Sequence, residues 1–285
     1  MNTWPTVGEV TSLPGGATLQ NGGCSGEFVQ TSNILPFNQL LKNHNLAGIC
    51  SLPYRGWVVI RPAKFQFTVH SSSKTETRYL MIKNIIFDMG GVLIRWKPEE
   101  MLYGFDLSPE EMEIINRELF KGIEWVQQDR GVITNDEILK SVFARVPEKL
   151  WEPVEFLVQG WHRRFLSPIP GMAELVGELK ANGYHLYLLS NASTTLREYF
   201  PRVPGSECFE KLMVSAEEKL LKPSLEIYQR LYKKFGLNPE ECWFIDDSPA
   251  NVEGAIYTGM GGSVFYGDVP RLRRELRRAG IRCRE

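Results

Sequence analysis

From Met81 onward, short apolar runs alternate with helical stretches, and this alternation constrains the fold more than any other feature of the chain. Ile85-Ile86-Phe87 reads as a short buried strand, and His185–Leu189, Leu212-Met213-Val214, Cys242–Ile245 and Ser263–Tyr266 repeat the signal. Helices are predicted between them at Met172–Ala181, from about Ser193, over Ser224–Phe235 and over Asn251–Tyr257. Gly183 follows the first of these as a C-cap would. Strands that alternate with helices pair in parallel through right-handed crossovers. The expected fold class is therefore α/β: a three-layer, Rossmann-like parallel sheet, with its ligand crevice beyond the carboxyl ends of the strands.

One stretch breaks the rhythm. Residues 96–166 read as all-helical, with start signals at Ser108-Pro109-Glu110-Glu111 and Thr134-Asn135-Asp136-Glu137. Inserted after the first strand, they are expected to form a cap over the crevice, leaving 81–95 and 167–285 as the α/β core. Residues 1–80 differ again. They are rich in Gly, Ser, Asn, Thr and Pro, and hold only three acidic residues, Glu9, Glu27 and Glu76. One alternating run, Phe65–Val69, has the pattern of a short strand with nothing to pair with. The expectation is a disordered or non-native N-terminal extension, with Met81 as the natural start and a targeting peptide as the weaker alternative.

Charge and cysteine usage narrow the function classes. Lys plus Arg total 33 against 34 Asp plus Glu, so the chain gives no reason to expect a nucleic-acid or membrane-surface partner. The one basic run, Arg271 to Arg278, is punctuated by Leu272 and Leu276 at helical spacing and reads as a helix with one packed face. Five scattered cysteines without C-x-x-C spacing argue against a zinc site or a disulfide framework, and point to a reducing, cytoplasmic setting. No apolar run reaches the roughly 18 residues of a membrane span.

Four polar clusters fall at or just beyond the predicted strand ends. Asp88-Met89-Gly90-Gly91 puts a carboxylate at a strand tip, with two glycines that allow close backbone approach. Ser190-Asn191 offers a hydroxyl, an amide side chain and N–H groups suited to phosphate oxygens. Lys222, ahead of Pro223, can place a point charge on a phosphate and on a nucleophile. Asp246-Asp247 offers paired oxygen ligands for Mg²⁺. Each cluster alone fits an ordinary turn or helix cap. Their weight lies in the conjunction, in order, on one side of one sheet.

Together, Asp88-Met89-Gly90-Gly91-Val92-Leu93, Leu189-Ser190-Asn191, Lys222-Pro223 with Ile227-Tyr228, and Asp246-Asp247-Ser248 with Asn251 resemble the four motifs of the haloacid dehalogenase superfamily. The likeness covers 82–281 and is greatest to the phosphatase branch with a helical cap after the first motif, subfamily IA. The resemblance implies that Asp88 attacks phosphorus and forms an aspartyl-phosphate that water then hydrolyses. Ser190 and the backbone at Asn191 would bind the phosphoryl group, and Lys222 would neutralise it and Asp88. Mg²⁺ would be held by Asp88, the Gly90 carbonyl and Asp247, with Asp246 supporting its water shell. The substrate implied is a small phosphorylated metabolite, with a sugar phosphate as the family analogy.

One departure matters. Most phosphatases of the superfamily carry a second aspartate two residues after the nucleophile, as general acid and base; here that residue is Gly90. Such help is typically worth about 10²–10⁴-fold. Glucose-1-phosphate phosphatases of the same family resemble this chain at that position, which is compatible with activity. Three readings stay open: a substrate whose leaving group needs little protonation, another acid from the cap (His162, Glu124 or Asp129), or a low-activity phosphate-binding or regulatory module. A metal-independent haloacid dehalogenase is the competing chemistry, against which stands the repulsion of Asp246 and Asp247 without a cation. Trp96, Trp125 and Trp161 suit either stacking on a sugar or a helical core.

Overall fold

The computed structural model describes residues 34–36, 57–59 and 81–284. In the first of its two units, β1 (Ile34–Pro36) and β2 (Trp57–Val59) pair antiparallel. The expected strand at Phe65–Val69 lies outside the described residues. The first described strand of the second unit is β3 (Asn84–Phe87).

A helical insertion follows: α1 (Pro98–Met101), α2 (Pro109–Ile115), a π turn at 116–120, α3 (Ile123–Arg130), α4 (Asn135–Phe143) and α5 (Trp151–Phe165). Both expected capping boxes form. Ser108 Oγ accepts from Glu111 N–H while the Glu111 carboxylate accepts from Ser108 N–H, and Thr134 and Glu137 do the same. The two strands of chain that connect the insertion to the sheet run side by side. Arg95 N–H donates to Ser167 O and Ile169 N–H to Leu93 O, so the insertion leaves and returns through one short neck.

The chain then alternates: α6 (Met172–Ala181), β4 (His185–Ser190), α7 (Leu196–Tyr199), β5 (Phe209–Val214), α8 (Ser215–Glu218), α9 (Leu225–Phe235), β6 (Cys242–Asp246), α10 (Pro249–Tyr257), β7 (Gly261–Val264) and α11 (Val269–Arg278). The five strands are parallel in the order β5-β4-β3-β6-β7. Chain order reverses direction at β3 and β6, so the crevice beyond those two strands is the topological switch point.

The pleat of β3 shows why three layers form. All four of its residues are buried. Ile85 and Phe87 face one cluster, with Leu186, Leu188, Leu175 and Leu276. Ile86 faces the other, with Leu189, Phe244, Ile227 and Leu231. A strand buried on both sides has to be mainly apolar, which Ile85-Ile86-Phe87 supplies, while buried Asn84 at its start hydrogen-bonds to Glu241 O and Cys242 Sγ. Each such side chain contributes about 1.5–3 kcal/mol relative to exposure. The basic final helix behaves as expected: Leu272 and Leu276 are buried, while Arg271 pairs with Glu275 and Arg273 with Glu178.

Several boundaries depart from expectation, and the strand expected at Leu212–Val214 starts already at Phe209. The helix expected near Ser193 begins at Leu196, because Ser193 and Thr195 hydroxyls bond to each other and hold a turn. The helix expected from Asn251 begins at Pro249, a residue suited to the first helical turn. The last strand starts at Gly261 rather than Ser263 and ends at Val264. Glycine is depleted in strands, but here the Trp243 ring lies over Gly261, where an added Cβ would meet Cε3 at 2.3 Å.

Candidate active site

The sheet register brings the strand-tip residues together. Phe87 is paired with Leu188 on one side and Ile245 on the other, so Asp88 and Asp246 follow from neighbouring strands at the same level. The Asp88 N–H continues the ladder by donating to Ile245 O. Ser190 ends β4 and is buried, and Asp246 ends β6 and is fully buried.

Lys222 arrives from the loop before α9 and fills the space between the carboxylates. Its Nζ stands 2.7 Å from Asp88 Oδ1 and 2.6 Å from Asp246 Oδ2, and donates to Leu189 O at 3.0 Å. Burial alone would lower the lysine's proton affinity, but Asp88 and Asp246 outweigh it and hold the ammonium charged, above its ordinary range. Asn191 fixes this lysine. Its Oδ1 accepts from Lys222 N–H at 2.9 Å and its Nδ2 donates to Lys222 O at 3.0 Å. The Asn191 amide, expected to offer its side chain to phosphate, thus also bonds at both ends to backbone 31 residues away. Its second Nδ2 hydrogen and its backbone N–H keep that option.

Asp246 is equally committed. Oδ2 meets Lys222, and Oδ1 accepts from Ser248 N–H at 2.8 Å and Asn251 Nδ2 at 3.0 Å. Asp247 is exposed beside it, its carboxyl pushed up by burial of the site and by Asp246. One carboxylate oxygen each from Asp88, Asp246 and Asp247 lie within 4.8 Å of one another. Gly91, at φ 76°, makes room for this: a Cβ there would lie 2.2 Å from Asp247 Oδ2. Asp88 Oδ1 is buried and, among the described residues, has no aligned hydrogen-bond donor despite the nearby Lys222 charge. Burial raises Asp88 to about 7, opposed by Lys222 and reinforced by Asp246. Three carboxylates clustered this closely fit a divalent cation with oxygen ligands, such as Mg²⁺.

The insertion supplies the opposite wall. Trp96 packs over Gly90, where an added Cβ would meet Trp96 Cβ at 3.3 Å. Trp96 also meets Trp125 and Trp161, with ring centroids 5.9 and 4.8 Å away, so the tryptophans pack on one another. The three acid or base candidates of the insertion separate clearly. Glu124 is bound by Arg145 and Ser141, and these contacts hold it at about 2. His162 is buried with its ring stacked on Tyr199, centroids 5.0 Å apart, and burial pushes it down. Asp129 alone lies where Asp88 and Lys222 act on its charge; burial, then Asp88, raises it to about 7.

Ser215 was not singled out in the sequence, although it is the polar residue at the tip of a fifth strand and so carries the same signal as the others. Its Oγ accepts from Ala192 N–H at 2.9 Å and donates to Asp129 O at 2.5 Å, tying the insertion to the Ser190-Asn191 turn.

A parallel sheet with a helical insertion and an Asp–Lys–Asp cluster at its switch point has the architecture of a carboxylate-centred α/β hydrolase. The chain belongs to the haloacid dehalogenase-like hydrolases, whose family model matches residues 82–259. It is 30% identical over 187 residues to the sesquiterpene phosphatase astK of Aspergillus oryzae, covering 63% of this chain and 88% of that protein. It is 25% identical over 185 residues to the D-ribitol-5-phosphate phosphatase of Bacteroides thetaiotaomicron, covering 60% and 86%. Among solved structures, a HAD family enzyme of Bacteroides thetaiotaomicron superposes with a TM-score of 0.52 at 28% identity, covering 67% of this chain and 98% of that one. An aspartate-to-alanine variant of that enzyme, similar at 27% identity and a TM-score of 0.52 over the same shares, was solved with magnesium and inorganic phosphate. Among the described residues, no helix is long and apolar enough to cross a membrane.

Proposed function

We propose that this protein is a Mg²⁺-dependent phosphatase that cleaves a small phosphate monoester through an aspartyl-phosphate at Asp88. The observation that carries this reading is the buried Asp88–Lys222–Asp246 cluster, with Asp247 completing a set of oxygen ligands. Asp88, Asp247 and the Gly90 carbonyl would hold Mg²⁺. Among the described residues that carbonyl accepts no backbone hydrogen bond, which leaves it available. Mg²⁺ there supplies charge neutralisation for the phosphoryl oxygens beside Asp88. Asp246 holds Lys222 and would support the water shell of a bound cation.

The protein's own groups do the rest. Lys222 offsets charge on the incoming phosphoryl group and keeps Asp88 oriented as an attacking carboxylate. Ser190 Oγ and the Asn191 N–H receive phosphoryl oxygens, while the Asn191 side chain positions the lysine. The helical insertion caps the crevice and excludes water from the reacting atoms. The substrate class is a small phosphorylated metabolite. The phosphatase relatives support the chemistry, and a sugar phosphate is one member of that class.

The test is phosphate release from a panel of sugar phosphates, nucleotides, prenyl phosphates and acyl phosphates, with Mg²⁺ and with chelator. Wild type is expected to release phosphate only with Mg²⁺, and Asp88→Asn to lose activity by about 10⁴-fold or more, as for a removed nucleophile. Release that survives Asp88→Asn would overturn the assignment, and absence of release across the panel would favour a phosphate-binding module.

A further inference from the structure

Resting on the phosphatase reading above, we propose that Asp129 is the general acid and base of this enzyme, reaching the reacting atoms from the helical insertion. The proposal begins at Gly90. Trp96 occupies the space into which a side chain at position 90 would project, with Cβ and Cγ at 3.3 and 3.4 Å from an added Cβ. A side chain there would meet the indole closely and require it to shift by a few tenths of an ångström.

The same indole marks where an acid does sit. Trp96 packs against Trp125 of α3, and Asp129 lies four residues further along that helix, on the same face. The end of α3 is fastened to the core at this point. Ser215 Oγ donates to the Asp129 carbonyl and accepts from Ala192 N–H, beside the Ser190-Asn191 turn. Lys219 Nζ donates to Gly131 O. Gly131, at φ 71°, lies so close to α8 that an added Cβ would meet Ala216 O at 2.2 Å.

The Asp129 backbone is thus fixed beside the phosphate turn, within reach of the charges of Asp88 and Lys222. Among the described residues nothing hydrogen-bonds its carboxyl, unlike Glu124, whose oxygens are taken by Arg145 and Ser141. The groups that act on its charge are Asp88 and Lys222 from the core, and Tyr199 of α7 senses it in turn. Burial and Asp88 together keep a proton available on it near neutral pH, as a general acid requires.

The two steps balance. An Asp88 oxygen forms a bond to phosphorus as the ester P–O bond breaks, and the Asp129 proton passes to the leaving oxygen, releasing the alcohol. Water then attacks phosphorus, the bond to Asp88 breaks, and Asp129 takes the water's proton. Inorganic phosphate leaves with both aspartates restored.

Asp129→Asn is the test, with p-nitrophenyl phosphate, whose leaving oxygen needs no proton, and phenyl phosphate, whose leaving oxygen does. The variant is expected to lose about 10²–10⁴-fold in phenol release. With p-nitrophenyl phosphate it should give one rapid equivalent of p-nitrophenol, then slow turnover, with a phosphorylated chain visible by intact mass. Asp129→Glu should recover part of the phenyl phosphate rate. Equal losses on both substrates without a burst, in a variant that melts like wild type, would overturn the proposal, as would phenyl phosphate turnover within about 3-fold of wild type. Wild type inactive on both substrates would instead count against the phosphatase reading itself.

Discussion

Gly91 is the residue at which backbone conformation and site chemistry meet. Its φ of 76° is strained for any residue with a Cβ, and that Cβ would fall 2.2 Å from Asp247 Oδ2. Gly91→Ala is therefore expected to cost about 1–2 kcal/mol, seen as a melting temperature lower by about 2–8 °C. It should also raise the Mg²⁺ concentration needed for half-maximal activity, because Asp247 is the group displaced. A thermal melt and a Mg²⁺ titration check this; unchanged values on both would mean that Asp247 has another place to go. The nucleophile candidate, the lysine and the acidic pair were legible in the sequence, because a polar residue directly after an apolar run marks a strand tip. The work of Asn191 was not. Its amide pairs with backbone 31 residues away, and no local pattern encodes that distance. The contact between Gly91 and Asp247 was hidden for the same reason, since it depends on β3 and β6 being neighbours in register.

At the scale of elements, legibility followed the range of the interactions involved. The capping boxes of α2 and α4 are closed within four residues, and both were readable. The early start of β7 depends on the Trp243 ring across the sheet, and was not. The attachment of α3 also rests on a distant partner: Arg145 Nη1 and Nη2 donate to the two Glu124 oxygens at 2.8 and 3.1 Å. These contacts hold Glu124 at about 2, below the ordinary carboxylate range. A depressed folded value stabilises the protein above the unfolded value of about 4.3, and that gain disappears as pH falls toward the folded one. Glu124→Gln is therefore expected to melt lower than wild type at pH 7, by about 1–2 kcal/mol after allowance for the partly exposed Arg145. The gap should narrow steadily between about pH 5 and about pH 2. Paired melts across that range check it, and a gap that stays constant in acid would assign the loss to packing instead of charge.

For the molecule as a whole, the sheet and insertion define a crevice but leave the chemistry to the charges within it, since one fold hosts many reactions. The overall formal charge is only −1, yet Asp88 and Asp246 pair with a single buried lysine, whose charge also acts on Asp247 and Asp129. Displacement of halide needs neither a proton for the leaving group nor a cation, so a site built for it gains nothing from this excess of carboxylates. Phosphoryl transfer brings further negative charge, and a divalent cation relieves all of it at once. The same excess predicts a response that does not depend on turnover. A cation bound only by the folded crevice stabilises it by mass action, about 1.4 kcal/mol at ten times its dissociation constant. Mg²⁺ should therefore raise the melting temperature of wild type, and do so much less for Asp247→Asn. In chelator the protein should release no chloride from 2-chloropropionate. Chloride release under those conditions, together with a melting temperature indifferent to Mg²⁺, would reverse the assignment from phosphoryl transfer to dehalogenation.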